Sequence, residues 1–65
     1  MIRKDHIYQF NNEFWLCKKA RKSGVNTYVV CDKEGNILPP VIEKNGFVKD
    51  HGTRISTKKD LKLIK

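Results

Sequence analysis

Proline occurs only twice, as one adjacent pair, cysteine occurs twice without a near neighbour, and no apolar run is longer than four residues. A membrane-spanning helix needs about 20 consecutive apolar residues, so none is encoded here. The first ten residues, "MIRKDHIYQF", hold no uninterrupted apolar segment and no small-residue cleavage site, so they do not read as a signal peptide. The expectation is a soluble, cytoplasmic protein with no membrane partner.

Two cysteines are too few for the disulfide framework of a small secreted scaffold. Cys17 and Cys31 each close an apolar run, "FWLC" and "YVVC", and read as free, half-buried thiols acting as small hydrophobes. They are symmetric about Gly24, so a hairpin centred there sets them opposite one another. With His6 and His51 they total the donors of a zinc site, but structural zinc ligands come in close pairs and these do not. No metal and no cofactor is expected.

A chain of 65 residues is one domain, 1–65, and its core contributes no more than about 3–5 kcal/mol of net stability, little to spare for a buried catalytic pocket. Ser23, Ser56, His6, His51, Asp32 and Asp50 are side chains a hydrolase uses. No nucleophile elbow, phosphate-cradling loop or paired metal ligands surround them. Asp50 and His51, just before Gly52, read instead as turn residues. An enzyme is not expected. Negative charge is scarce too: 7 acidic residues against 14 Lys and Arg give a net charge of +7 and a pI near 9.7. That balance favours polyanionic partners through long-range attraction.

What is present is a succession of β-forming stretches punctuated by turns. "HIYQF" (6–10) ends at Asn11-Asn12, and "NTYVVCD" (26–32) combines β-branched and aromatic residues. "KEGN" (33–36) is a turn with Gly35 set for a left-handed conformation. "ILPPVIEK" is restricted by Pro39-Pro40 to an edge, a bend or a break between two strand pieces. Asn45-Gly46 is the strongest hairpin signal and leads into "FVKD"; "HG" then turns into "TRIS", and "DLKLIK" alternates at the end. Two segments carry mixed signals. Residues 13–23 have a capping Asn12, cations in the last turn and a terminating Gly24, as a helix would. As a strand they put Phe14 and Leu16 on one face and Trp15, Cys17, Lys19 and Arg21 on the other, and this separation favours the strand. Thr57 to Asp60 matches a capping box, giving a single helical turn before a last short strand.

The fold class expected is therefore mainly β, five or six short strands with one helical turn near the carboxy terminus; the alternative is α+β with a helix over 13–23. In its order of elements, with hairpins at "KEGN" and "NG" and then "ISTKKDLKLI", the chain resembles an SH3-like small barrel of the KOW and Tudor kind. That resemblance implies binding of RNA, of ribosomal or transcription machinery or of modified peptide tails, and no catalysis. It is one of pattern, so it assigns no residue a role.

The candidate site begins in "FWLCKKARKSG". Trp15 offers a ring on which a base can stack, and Lys18, Lys19, Arg21 and Lys22 offer phosphate contacts. Against this, the one tryptophan of a small protein is often core, and lysines keep strand edges soluble. Arg54, Lys58 and Lys59, with Lys62 and Lys65, form a second basic cluster, which Arg3 and Lys4 extend if the last strand lies beside the first. Two classes of function remain: a module that holds RNA or DNA through phosphates and stacking, and a protein-interaction module, adaptor or inhibitor, that binds an acidic surface or extends an exposed strand.

Overall fold

The computed structural model describes residues 1–49 and 52–65, with Lys49 described by its backbone; the turn expected at Asp50 and His51 lies outside the described residues. Among the described residues seven strands follow in chain order: β1 (Ile7–Phe10), β2 (Glu13–Lys19), β3 (Asn26–Cys31), β4 (Val41–Ile42), β5 (Val48–Lys49), β6 (Thr53–Ser56) and β7 (Lys62–Leu63). Five of them make one antiparallel sheet in the order β6-β3-β2-β1-β7, and β4 and β5 form a separate two-stranded ribbon. The last strand thus lies beside the first. The architecture is mainly β and compatible with a small barrel-like fold. Among the described residues no helix is present, and none is long and apolar enough to cross a membrane.

Both helical expectations give way to strand or turn. Residues 13–19 pair with β1 on one side and β3 on the other, so tertiary pairing overrides the capping signals of Asn12 and Gly24. At Thr57 to Asp60 the capping box is not used. The Lys58 amide donates instead to the Ser56 hydroxyl at 3.1 Å, and the chain bends without a helical turn.

The hairpins are built by short side chains that take up backbone amides. Asn11, at φ 53°, turns β1 into β2 with Phe10 opposite Glu13. After β3, the Asp32 amide donates to the Asn36 carbonyl at 2.9 Å and the Gly35 amide to the Asp32 carbonyl at 3.0 Å. Asp32 Oδ1 accepts the amides of Glu34 and Asn36, both at 2.9 Å, which holds its carboxyl below the usual range although it is open to water. The β4–β5 turn repeats this pattern: the Glu43 amide donates to the Phe47 carbonyl at 2.8 Å and the Gly46 amide to the Glu43 carbonyl at 2.9 Å. Both are type I turns followed by a left-handed glycine, the three-residue hairpin loop, rather than the two-residue turn that Asn45-Gly46 alone implies. Pro39-Pro40 breaks the chain between an isolated bridge, Cys31 to Ile37, and β4.

Gly35 meets two demands at once. Its φ is +92°, and a Cβ there would lie 3.1 Å from Cδ1 of Ile7, which is 5% exposed. Gly35→Ala is therefore expected to cost about 1–2 kcal/mol, measured by urea unfolding. Gly46→Ala has the same backbone penalty without the contact, since nothing lies within 4 Å, and is expected to cost less.

The main core cluster lies on one face of the sheet: Tyr8, Trp15, Cys17, Tyr28 and Val30, with Ile2, Phe10, Leu38 and Leu61 packed against it, while Ile7 and Cys31 are buried on the other face. Cross-strand register puts Tyr8, Trp15 and Val30 in one row and Cys17 beside Tyr28 in the next. The rings interlock. Trp15 lies 5.1 Å from Phe10 and 5.3 Å from Tyr28 between centroids, and Tyr8 meets Tyr28 edge-on at 6.4 Å.

Candidate functional site

The core reverses one expectation about β2. Its face bearing Trp15 and Cys17 points inward, while Phe14 and Leu16 on the other face are only half-buried. Trp15 is 5% exposed, and its indole Nε1 donates to Glu13 Oε1 at 3.0 Å. It offers no ring to a base. The reason is area: on a sheet this small, the largest apolar side chain stabilises most when it is covered. Lys19 and Arg21 do not share its face either. The pairing of β2 with β3 shifts between Cys17 and Lys19, so Lys19 stands opposite Thr27 and turns away from the core.

The same register separates the thiols. Cys17 is opposite Tyr28 and Cys31 is opposite Phe14, so the two lie on opposite faces and cannot be bridged. Burial pushes both thiols up from their usual range. A thiol-specific disulfide reagent at neutral pH is expected to react with neither in the folded protein and with both in denaturant; fast stoichiometric labelling of the native chain would contradict this. Among the described residues no group of three or more potential ligands is placed to hold a metal ion.

Five of the expected cations remain available, and three of them come together. Arg21 and Lys22 on the β2–β3 loop and Lys59 on the β6–β7 connection line one cleft of about 570 Å³, with Met1, Ile2, Ala20, Gly24 and Asn26. Lys18 and Lys19 are exposed on the strand that leads into it. The two basic clusters of the sequence are therefore joined through Lys59. Two other members of the second cluster, Arg54 and Lys58, are engaged elsewhere. Arg54 is paired with Glu13 at 3.2 Å and donates to both of its carboxylate oxygens. Lys58 holds its ammonium 5.0 Å from the centre of the Phe10 ring.

Asn26 fixes the wall of the cleft. Among the described residues it is the one buried polar residue, 5% exposed, and its Oδ1 accepts the Arg21 amide at 3.0 Å. The Gly24 amide donates to the Arg21 carbonyl at 3.0 Å, and Gly24 takes φ 88° to close the turn. Both backbone groups of Arg21 are thus held, which limits the loop ordering that meeting an anion would cost. Beside Asn26 lies the fully buried Tyr28, whose hydroxyl has no hydrogen-bond partner of good geometry among the described residues and whose phenol is pushed up by burial.

Asn26 and the apolar lining residues Ile2 and Ala20 were not foreseen from the sequence. A polar residue opening a β-branched run is also how an ordinary turn ends, so nothing local marks it. Comparison with known protein families, with curated proteins and with solved structures finds no match to this chain.

Proposed function

We propose that this protein is a small basic binding module, without catalysis of its own, that holds single-stranded RNA or DNA through phosphate contacts at the Arg21, Lys22 and Lys59 cleft. The observation that carries this reading is the cleft itself, where cations from two distant parts of the chain line one concavity together with Ile2 and Ala20. The net charge of +7 adds long-range attraction for a polyanion. The resemblance to SH3-like barrels of the KOW and Tudor kind points the same way, and the order β6-β3-β2-β1-β7, with the last strand beside the first, is consistent with it. We place the activity in the cytoplasm.

The test is a salt titration of binding to fluorescent RNA and DNA oligonucleotides. Single-strand phosphates contribute a log–log slope near −0.7 each, so affinity should fall roughly twentyfold between 50 and 200 mM salt for three contacts and a hundredfold for five. Absence of binding at 50 mM salt would reject this reading. A protein-interaction module, adaptor or inhibitor, would then lead, and one observation favours it specifically: Val41, Ile42 and Val48 of the β4–β5 ribbon are all exposed.

A further inference from the structure

Nucleic-acid binding by stacking needs an exposed aromatic ring, and the burial of Trp15 removes the one that the sequence advertises. The chain has six aromatic residues. Tyr8, Trp15 and Tyr28 are buried, Phe10 lies between Trp15 and the Lys58 ammonium, and Phe14 is half-buried on β2. Phe47 alone among them is open, at 71% exposure.

Its position is not that of a loose loop. The Phe47 carbonyl accepts the Glu43 amide at 2.8 Å and its amide donates to Asn45 Oδ1 at 3.2 Å, so both backbone groups are bonded within the turn. A ring held on a fixed backbone loses little freedom when a base stacks on it. Lys44, in the same turn, is exposed and supplies a charge for the adjoining phosphate. Ile42 and Val48, opposite each other in the ribbon, are 75% and 61% exposed and widen the apolar surface around the ring.

The ribbon also has a defined place relative to the cleft. Both of its roots attach to one residue of β3: the Leu38 amide donates to the Val30 carbonyl and the Val30 amide to the Gly52 carbonyl, each at 3.3 Å. Asn26, in the cleft, begins the same strand. Four residues of strand separate Val30 from Asn26, roughly 13 Å at the usual rise. A ligand touching both the cleft and the ribbon must therefore be elongated, as a single strand is. The 4–16-nucleotide footprints of small β-modules that bind single strands are of the right size.

We infer that Phe47 is the base-stacking residue of this protein, and that its ligand is a single strand long enough to run from the Arg21, Lys22 and Lys59 cleft to the β4–β5 ribbon. The inference rests on the reading of the cleft as a nucleic-acid site. It predicts that affinity grows with strand length until the ribbon is reached.

The experiment compares oligothymidylates of 4 and 12 nucleotides on wild type, Phe47→Leu, Phe47→Trp and Arg21→Ala/Lys22→Ala, with the sedimentation behaviour of each protein recorded. Phe47→Leu should weaken binding of the longer strand roughly 5- to 150-fold, the range for one stacked base. It should leave the 4-nucleotide strand within about twofold, whereas Phe47→Trp should match or exceed wild type. Upfield shifts of the Phe47 ring protons on addition of the longer strand should accompany these changes. Equal affinity of Phe47→Leu and wild type for the longer strand would overturn the inference. If the cation variant still lost binding, the cleft reading would survive. Loss of self-association in Phe47→Leu, with binding unchanged, would also overturn it and assign the ribbon to a second copy of the chain. No binding by wild type at either length would defeat both readings.

Discussion

Replacing Arg21, Lys22 and Lys59 together with alanine is expected to lower affinity for a single-stranded oligonucleotide by roughly a hundredfold at 50 mM salt, and to flatten the salt dependence by about two units of log–log slope. The three side chains line one cleft, so one strand can engage all of them, and each releases condensed counterions when it meets a phosphate. Lys22 and Lys59 are exposed and Arg21 is held through its backbone rather than its guanidinium, so the triple variant keeps its fold. A control with the same change in charge separates cleft from total charge: Lys33→Ala/Lys62→Ala/Lys65→Ala also removes three exposed cations, none of them lining the cleft or placed on the β4–β5 ribbon. The control is expected to lose far less affinity and slope. Equal losses in the two variants would mean that the chain attracts polyanions by net charge alone.

Trp15→Ala is expected to unfold the protein. The side chain is 5% exposed, sits between Phe10 and Tyr28 and bonds Glu13, so truncation leaves a cavity costing about 3–5 kcal/mol. A 65-residue core has about that much stability in total. Loss of amide dispersion in the NMR spectrum and of a cooperative urea transition would report it. Trp15→Phe, which keeps most of the volume, should fold with reduced stability and bind nucleic acid as wild type does. A well-folded Trp15→Ala with impaired binding would return Trp15 to the interface.

Much of the fold was legible because turn chemistry is local. Gly35, Asn45-Gly46 and Asn11-Asn12 mark hairpins that do form, and Pro39-Pro40 breaks the chain where a break was expected. The helical turn at Thr57 to Asp60 was not predictable in the same way, because Ser56 instead takes up the Lys58 amide in a local turn that competes with the capping box. The candidate site was legible in its charges but not in its geometry. Alternation along β2 gives two faces but does not say which is inward, and a register shift after Cys17 carries Lys19 off the face that alternation assigns it. Cooperation between Arg21 and Lys59 depends on where the β2–β3 loop and the β6–β7 connection meet, a long-range property of the sheet. Arg54 and Lys58 look like their basic neighbours in sequence and are drawn off by Glu13 and Phe10, partners 41 and 48 residues away.

The central claim, that the cleft receives a single-stranded nucleic acid, is tested most directly by titrating a 12-nucleotide strand into isotopically labelled protein at 50 mM salt and following each backbone amide by NMR. The account predicts saturable shifts concentrated at Arg21, Lys22, Gly24, Asn26 and Lys59, with a second group at Lys44 to Val48. Shifts spread evenly over all exposed lysines without saturation, or no shifts at all, would contradict it.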